Sequence, residues 1–346
     1  MARSYSDPIP LVGDRVSSSS SRKGLPAGPE SEVPVPNHPV SRTVDLDGPV
    51  HAVDHGGPSV PGRPTVVCVH GLGGSHANWH DLAPLLARTH RVLALDLAGH
   101  GRTPRAGRSS SVRANRVLLD RFVDEVVGEP VVLLGNSMGA AISVLQAAAE
   151  PAKVLGLVLI GPALPRTRRD VPDRALARQA ALYAVPGLAG RSLSRRRERL
   201  GPEGMVQETL ELTTADATRV SPSMKALAVE LLASRASGPD AEAAFLEAAR
   251  SLGVLLARAG TYRAAIASVR APALVLQGAL DRLAPLSGVQ QLAALQPGWQ
   301  VEVLDGVGHV PQIEVPERTA SLVLPFLESL PATPRTAPDD LLAGAS

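Results

Sequence analysis

The sequence predicts a mainly parallel, doubly wound α/β sheet with an inserted helical domain, and three observations carry that prediction. Short apolar runs such as Thr65-Val-Val-Cys-Val69 and Val131-Val-Leu-Leu134 have the composition of strands covered on both faces. They alternate with helical patterns, as parallel strands joined by crossover helices require. From 163 to 270 the alternation stops, and helical patterns follow one another with no convincing strand until the rhythm resumes at Ala273.

Residues 1–40 are rich in Ser, Pro and Gly and read as a disordered tail. Residues 41–162 form the first part of the core. Thr43-Val-Asp-Leu-Asp and Val50-His-Ala-Val-Asp54 flank Gly48-Pro49 as an antiparallel hairpin at a sheet edge. Strands follow at Thr65–Val69, Arg91–Leu95, Val131–Leu134 and Val154–Ile160, with a helix expected from Trp79 to Arg88. Residues 163–270 are the helical insertion, broken at Pro186-Gly187, Gly201-Pro202, Ser221-Pro222 and Ser237-Gly-Pro239. Residues 271–330 complete the core with strands at Ala273–Gly278 and Gln300–Leu304 and a helix from Thr319 to Leu330. Residues 331–346 read as a flexible tail.

At 346 residues and 44% hydrophobic, the chain can bury a substantial core, and one domain with an insertion fits better than two independent ones. A net charge of +2 and 2% aromatic content argue against a nucleic-acid partner, because neither a basic footprint nor stacking platforms are supplied. The single cysteine, Cys68, lies in an apolar run and reads as a small core residue. The N-terminus carries no apolar signal region and no run is long enough to span a bilayer, so no integral membrane segment and a cytoplasmic location are expected.

The chain is organised around Gly135-Asn-Ser-Met-Gly139, which joins the strand at Val131 to a small-residue helix ending near Ala149. This is the strand–turn–helix context in which G-x-S-x-G presents a nucleophile on a sharp elbow. A serine hydroxyl is weak at neutral pH and needs a base, itself oriented by a third group. Two later strand ends supply them: Asp281 in Gly278-Ala-Leu-Asp281 and His309 in Gly306-Val-Gly-His309. The order Ser137, Asp281, His309 is the one expected for this architecture. Asp305 is the competing acid, set too close to His309 along the chain. The backbone N–H groups of Met138, directly after the serine, and Leu72, in His70-Gly-Leu-Gly-Gly74, are the candidate oxyanion donors. His70, His100 and Asp96 read as residues that hold loop backbone. His51, His55, His76, His80 and His90 show no metal-ligand spacing, so neither a metal nor another cofactor is expected.

These residues together resemble the α/β-hydrolase superfamily: His70-Gly, Asp96-Leu-Ala-Gly-His-Gly101, the elbow, Asp281 and Gly308-His309 match in order. The resemblance spans Ser41 to Leu330 and implies that the insertion is a cap or lid. It implies a serine hydrolase that cleaves an ester or related acyl bond of a fairly apolar small molecule. Carbon–carbon bond hydrolases of ring-cleavage products share a similar elbow, but they carry Gly-Pro-Gly after the first His-Gly where this chain has Leu72-Gly-Gly-Ser75. Serine at the elbow separates the chain from haloalkane dehalogenases and epoxide hydrolases, which place Asp there. Cofactor-free haloperoxidases, acyltransferases and a non-catalytic ligand-binding or signalling role on the same fold stay open.

The insertion carries 17 Arg and Lys against 11 Asp and Glu, concentrated at Arg166-Thr-Arg-Arg169 and from Arg191 to Arg199. Two readings stand: a solvated helix face, or a weak attraction for anionic substrates or a lipid surface. Leu176, Ala180 and Tyr183, and likewise Phe245, Ala249, Leu252 and Leu256, repeat at helical spacing and are expected to pack inward.

Overall fold

A computed structural model describes residues 39–58, 62–166, 187–235 and 239–331. Eight strands form one sheet: β1 (Val40–Asp45), β2 (Pro49–Asp54), β3 (Thr65–Val69), β4 (Val92–Leu95), β5 (Val131–Asn136), β6 (Val154–Ile160), β7 (Ala273–Gly278) and β8 (Gln300–Leu304). Their spatial order is β1-β2-β4-β3-β5-β6-β7-β8. β1 and β2 are an antiparallel hairpin, β2 is antiparallel to β4, and every other pair is parallel.

The apolar runs are strands because both of their faces are covered. Val67, Val69, Val131 and Leu133 join Leu119, Phe122 and Ile142, from the helices Val112–Phe122 and Met138–Ala149, in one core layer. Their sequence neighbours Val66, Cys68, Val132 and Leu134 point the other way. They meet Leu82 and Leu86 together with Val323 and Phe326 of the helix Pro316–Ser329. Alternate side chains thus enter opposite layers, which is why these central runs are apolar along their length.

Strand order reverses at β3. The chain runs from β3 to β4 on one side and then crosses to β5 on the other. The carboxyl ends of β3 and β5 therefore flank a topological switch point, where open α/β sheets form a crevice. Residue 70 follows β3 and residue 137 follows β5 at that edge. Asp281 and His309 follow β7 and β8 at the same edge.

Between β6 and β7 the described residues hold only helices: Leu188–Thr213, Pro222–Arg235, Pro239–Ala257, Ala259–Ser268 and a one-turn 3₁₀ helix at Ala217–Arg219. The sequence breaks mark their limits. Gly201 (φ 63°, ψ 177°) interrupts the first of them just before Pro202, and Pro222 and Pro239 each open a helix. Ala248 is buried in the main core, and Leu252 and Leu256 pack against it. Leu176, Ala180, Tyr183, Arg168 and Arg169 lie outside the described residues.

Several boundaries differ from expectation. The helix expected from Trp79 to Arg88 is a 3₁₀ turn, His76–Trp79, followed by a single α-turn, Ala83–Leu86. Ser75 and Asn78 cap the first turn reciprocally. Pro84, lacking an N–H, fits only the opening of a new helix. The closing helix begins at Pro316 rather than Thr319, because proline is well placed at the first helical position. Val40, assigned to the tail, opens β1. No helix among the described residues is long and apolar enough to cross a membrane.

Candidate active site

Ser137 occupies a strained backbone position, φ 54° and ψ −113°, outside the regions open to residues with side chains. Such a conformation costs about 1–3 kcal/mol and persists only where its surroundings over-determine it. Here β5 ends, the helix Met138–Ala149 begins, and two glycines let them meet. A Cβ on Gly139 would lie 2.0 Å from the Val69 carbonyl oxygen, and one on Gly135 would lie 2.6 Å from that of Gly139. The Ser137 N–H donates to the Ile160 oxygen at 2.9 Å, and its carbonyl accepts from Ala141 at 3.2 Å. The serine is therefore pinned above the sheet at the start of a helix.

Asp281 and His309 meet as the sequence order predicts. His309 Nδ1 and Asp281 Oδ2 are 2.7 Å apart, and both side chains are almost fully buried. Gln277 Nε2 also donates to Oδ2, at 2.9 Å, while Oδ1 accepts the N–H groups of Leu283 and Ala284 at 2.8 Å. The carboxylate is thus fixed by four donors. With Nδ1 engaged, Nε2 is the His309 nitrogen left to exchange a proton. Asn136, beside Ser137, donates to the His309 carbonyl at 3.3 Å and to that of Ile160 at 3.1 Å, binding the histidine loop to the elbow. Asp305 is exposed.

Met138 is buried at the first position of its helix, where backbone N–H groups have no intrahelical acceptor. Leu72 lies in a turn closed by the Gly74 N–H on the Gly71 carbonyl at 3.1 Å. That turn lies against the elbow, since a Cβ on Gly71 would come within 3.2 Å of the Ser137 Cβ. The buried His70 holds the same loop: Nδ1 donates to the Gly71 carbonyl at 2.8 Å, and Nε2 accepts from Leu97 N–H at 3.1 Å. Cys68 offers no rival nucleophile, because burial pushes its thiol up, far from thiolate.

A second histidine–carboxylate cluster lies nearby, unseen in the sequence spacing. The ligand atoms of His51, His76 and Asp96, all buried, fall within 4.8 Å of one another. Both Nδ1 atoms lie against Asp96 Oδ2, at 2.8 and 2.9 Å. The N–H groups of Arg102 and His76 add 2.8 and 2.6 Å bonds. Burial alone would raise the Asp96 pKa. Hydrogen bonds from His51 and His76 outweigh it and hold the carboxyl far below the usual range. An ionised carboxylate only accepts, so both Nδ1 atoms donate. His51 and His76, whose spacing in the sequence shows no shared site, are thus brought onto one carboxylate. The sequence also gave no sign of Gln277 or Asn136 as partners of the site.

The basic clusters are partly neutralised. Arg196 pairs with Glu208, and Arg197 with Glu242 at 2.8 Å, while Arg195 is exposed. The insertion is tied to the core by Arg105–Glu247 at 2.7 Å and Arg102–Glu230 at 2.8 Å. Ser221 adds a hydrogen bond to Asp81 at 2.8 Å.

A family model described as the alpha/beta hydrolase fold matches residues 64–316. A 2-hydroxy-6-oxononadienedioate/2-hydroxy-6-oxononatrienedioate hydrolase of Pseudomonas putida is 28% identical over 299 residues, covering 83% of this chain and 94% of its own. A pimeloyl-acyl-carrier-protein methyl ester esterase of Aromatoleum aromaticum is 30% identical over 265 residues, 75% of this chain and 97% of its own. Among solved structures, a membrane phospholipase A described as a bacterial virulence factor superposes with a TM-score of 0.66 at 27% identity. That match covers 84% of this chain and 86% of the phospholipase. The chain therefore belongs to the alpha/beta hydrolase fold family and is a hydrolase.

Proposed function

We propose that the protein is a serine hydrolase that cleaves an ester, or a related acyl bond, of a fairly apolar small molecule through an acyl-enzyme. The observation that carries this reading is the strained Ser137, whose neighbour Asn136 is bonded to the backbone of a His309 whose Nδ1 is held by Asp281. His309 Nε2 takes the Ser137 proton as the hydroxyl oxygen attacks the acyl carbon, and returns it to the departing alcohol. Water, deprotonated by the same nitrogen, then releases the acid. Asp281 keeps the imidazole in the tautomer with the proton on Nδ1 and stabilises the imidazolium. The N–H groups of Met138 and Leu72 bind the oxyanion, each worth about 3 kcal/mol in the transition state.

The insertion serves as a cap. The Phe245 ring lies 3.1 Å from where a Cβ on Gly73 would stand, which brings an apolar cap side chain over the loop that carries Leu72. An apolar acyl or alcohol group suits that neighbourhood. Carbon–carbon bond hydrolysis is the second reading, supported by the 28% identity to the Pseudomonas putida enzyme. Against it, the loop reads Leu72-Gly-Gly-Ser75 instead of Gly-Pro-Gly.

A panel of p-nitrophenyl esters of increasing chain length, assayed beside a vinylogous 1,5-diketone, tests the choice. Turnover of an ester, lost in Ser137→Ala, supports the proposal. Turnover of the diketone alone replaces it with the second reading.

A further inference from the structure

Glu314 is a carboxylate with no exposed side-chain surface, lying five residues beyond His309 and unused by the chemistry above. Its bonds join two segments far apart in sequence. Oε2 accepts the N–H of Gly308 at 2.8 Å and that of Ala215 at 3.0 Å. Oε1 accepts the N–H of Asp216 at 3.1 Å and Arg219 Nη1 at 3.2 Å. Gly308 immediately precedes His309, whereas residues 215, 216 and 219 follow the insertion helix Leu188–Thr213.

Three further contacts make the joint exact in register. The last carbonyls of a helix lack intrahelical donors. Thr213 finds its donor in the His309 N–H itself, at 2.6 Å. Gly308 presses against the same strand of backbone, where a Cβ would lie 2.6 Å from the Thr213 oxygen. Arg219 Nη1 also donates to the Gly306 carbonyl at 2.8 Å. The backbone from Gly306 to His309 is therefore held by Thr213 and Arg219 of the insertion and by Glu314, which bridges to that insertion, as His309 is held from the elbow side by Asn136.

We propose that Glu314 is a positioning residue that registers His309 to the insertion, so that the placement of the cap helix sets the placement of the general base. The proposal rests on His309 acting as that base. Segment 213–216 cannot shift without either breaking a bond to Glu314 or carrying 308 and 309 with it. A catalytic group displaced by a fraction of an ångström loses rate far more than it loses substrate affinity.

The test is a double-mutant cycle on the p-nitrophenyl ester that the wild type turns over best. Glu314→Gln keeps the shape but turns one acceptor into a donor facing backbone N–H groups. Its kcat is expected to fall about 30-fold with KM within about twofold. In the His309→Ala background, Glu314→Gln should change the residual rate by less than about twofold, because residues acting as one unit are not additive. If Glu314→Gln does not fold, Arg219→Gln, altered at a side chain open to solvent, replaces it, with an expected kcat loss of about fivefold and the same non-additivity. Equal fold-losses in both backgrounds, or a change confined to KM, would overturn the proposal. A His309→Ala variant with wild-type kcat would instead show that the reading of His309 itself is wrong, and the proposal would fall with it.

Discussion

Two aspartates at strand ends of this sheet each hold histidine, and they hold it to different ends. Asp281 follows β7 and binds one histidine, whose second nitrogen remains for proton exchange. Asp96 follows β4 and binds two, His51 and His76, and the other ring nitrogen of His51 lies 2.6 Å from the Ser41 hydroxyl. Both carboxylates are buried, and both also accept two backbone N–H groups. What separates them is the neighbourhood. His309 is bound through Asn136 to a strained serine at the switch point, whereas His51 and His76 join β2, the 70–79 segment and the loop after β4. A histidine–aspartate bond alone therefore does not tell the two sites apart; the strained serine joined to one of them does.

Substitution of the two aspartates should separate rate from stability. Asp281→Asn is expected to keep the fold and lower kcat by about 10⁴, since the imidazole would lose its tautomer. Asp96→Asn should lower thermal stability by about 3–5 kcal/mol, the usual consequence of removing one partner from a buried ionic cluster, while folded molecules keep most of their kcat. Calorimetry beside single-substrate kinetics reads both. A large kcat loss in folded Asp96→Asn would make the two clusters equivalent and break the contrast.

His55 sharpens the comparison, because it is a buried histidine whose ring nitrogens have no hydrogen-bond partner among the described residues. Burial, reinforced by the nearby His76 and His80, lowers its pKa from 6.5 to about 4. A histidine depressed in this way is bound by fewer protons folded than unfolded. Above pH 6.5 both states hold it neutral and it adds no pH dependence, and stability is lost as pH falls from 6.5 towards 4. The loss approaches roughly 3 kcal/mol at the acid end of that window. His55→Phe should flatten the fall in Tm between those pH values, and an unchanged slope would assign it to other groups.

The smallest effect expected is electrostatic. Arg196 and Arg197 are paired to Glu208 and Glu242, while Arg191, Arg195 and Arg199 of the same helix are exposed, where salt screens whatever attraction they exert. Raising ionic strength from about 0.05 to 0.5 M should lower kcat/KM for an anionic ester by less than about threefold, and leave neutral esters unchanged. A steep slope for the anionic ester, flattened by Arg195→Gln, would restore the reading of the basic cap as an attractor.

The sheet was legible because parallel strands write themselves as unbroken apolar runs. β3, β6 and β7 begin and end where their composition does, whereas β8, at the sheet edge, alternates polar with apolar residues. The elbow and the pairing of Asp281 with His309 were legible because each lies at the end of such a run. The helix expected at 79–88 was not, since a cap at Ser75 and a proline at 84 divide it and period alone does not reveal either. The Asp96 cluster was hidden by distance, its histidines lying 45 and 20 residues away. Glu314 had one readable sign: a lone charge in Val310-Pro-Gln-Ile-Glu-Val315, where an apolar setting demands partners.

The central claim is that the strained serine, and no other residue, carries the acyl group. Its most direct test is mass-spectrometric mapping of the adduct formed with a fluorophosphonate probe. One adduct, on Ser137, is expected, formed slowly in His309→Ala and absent in Ser137→Ala. An adduct on another residue, or labelling that persists in Ser137→Ala, would contradict it.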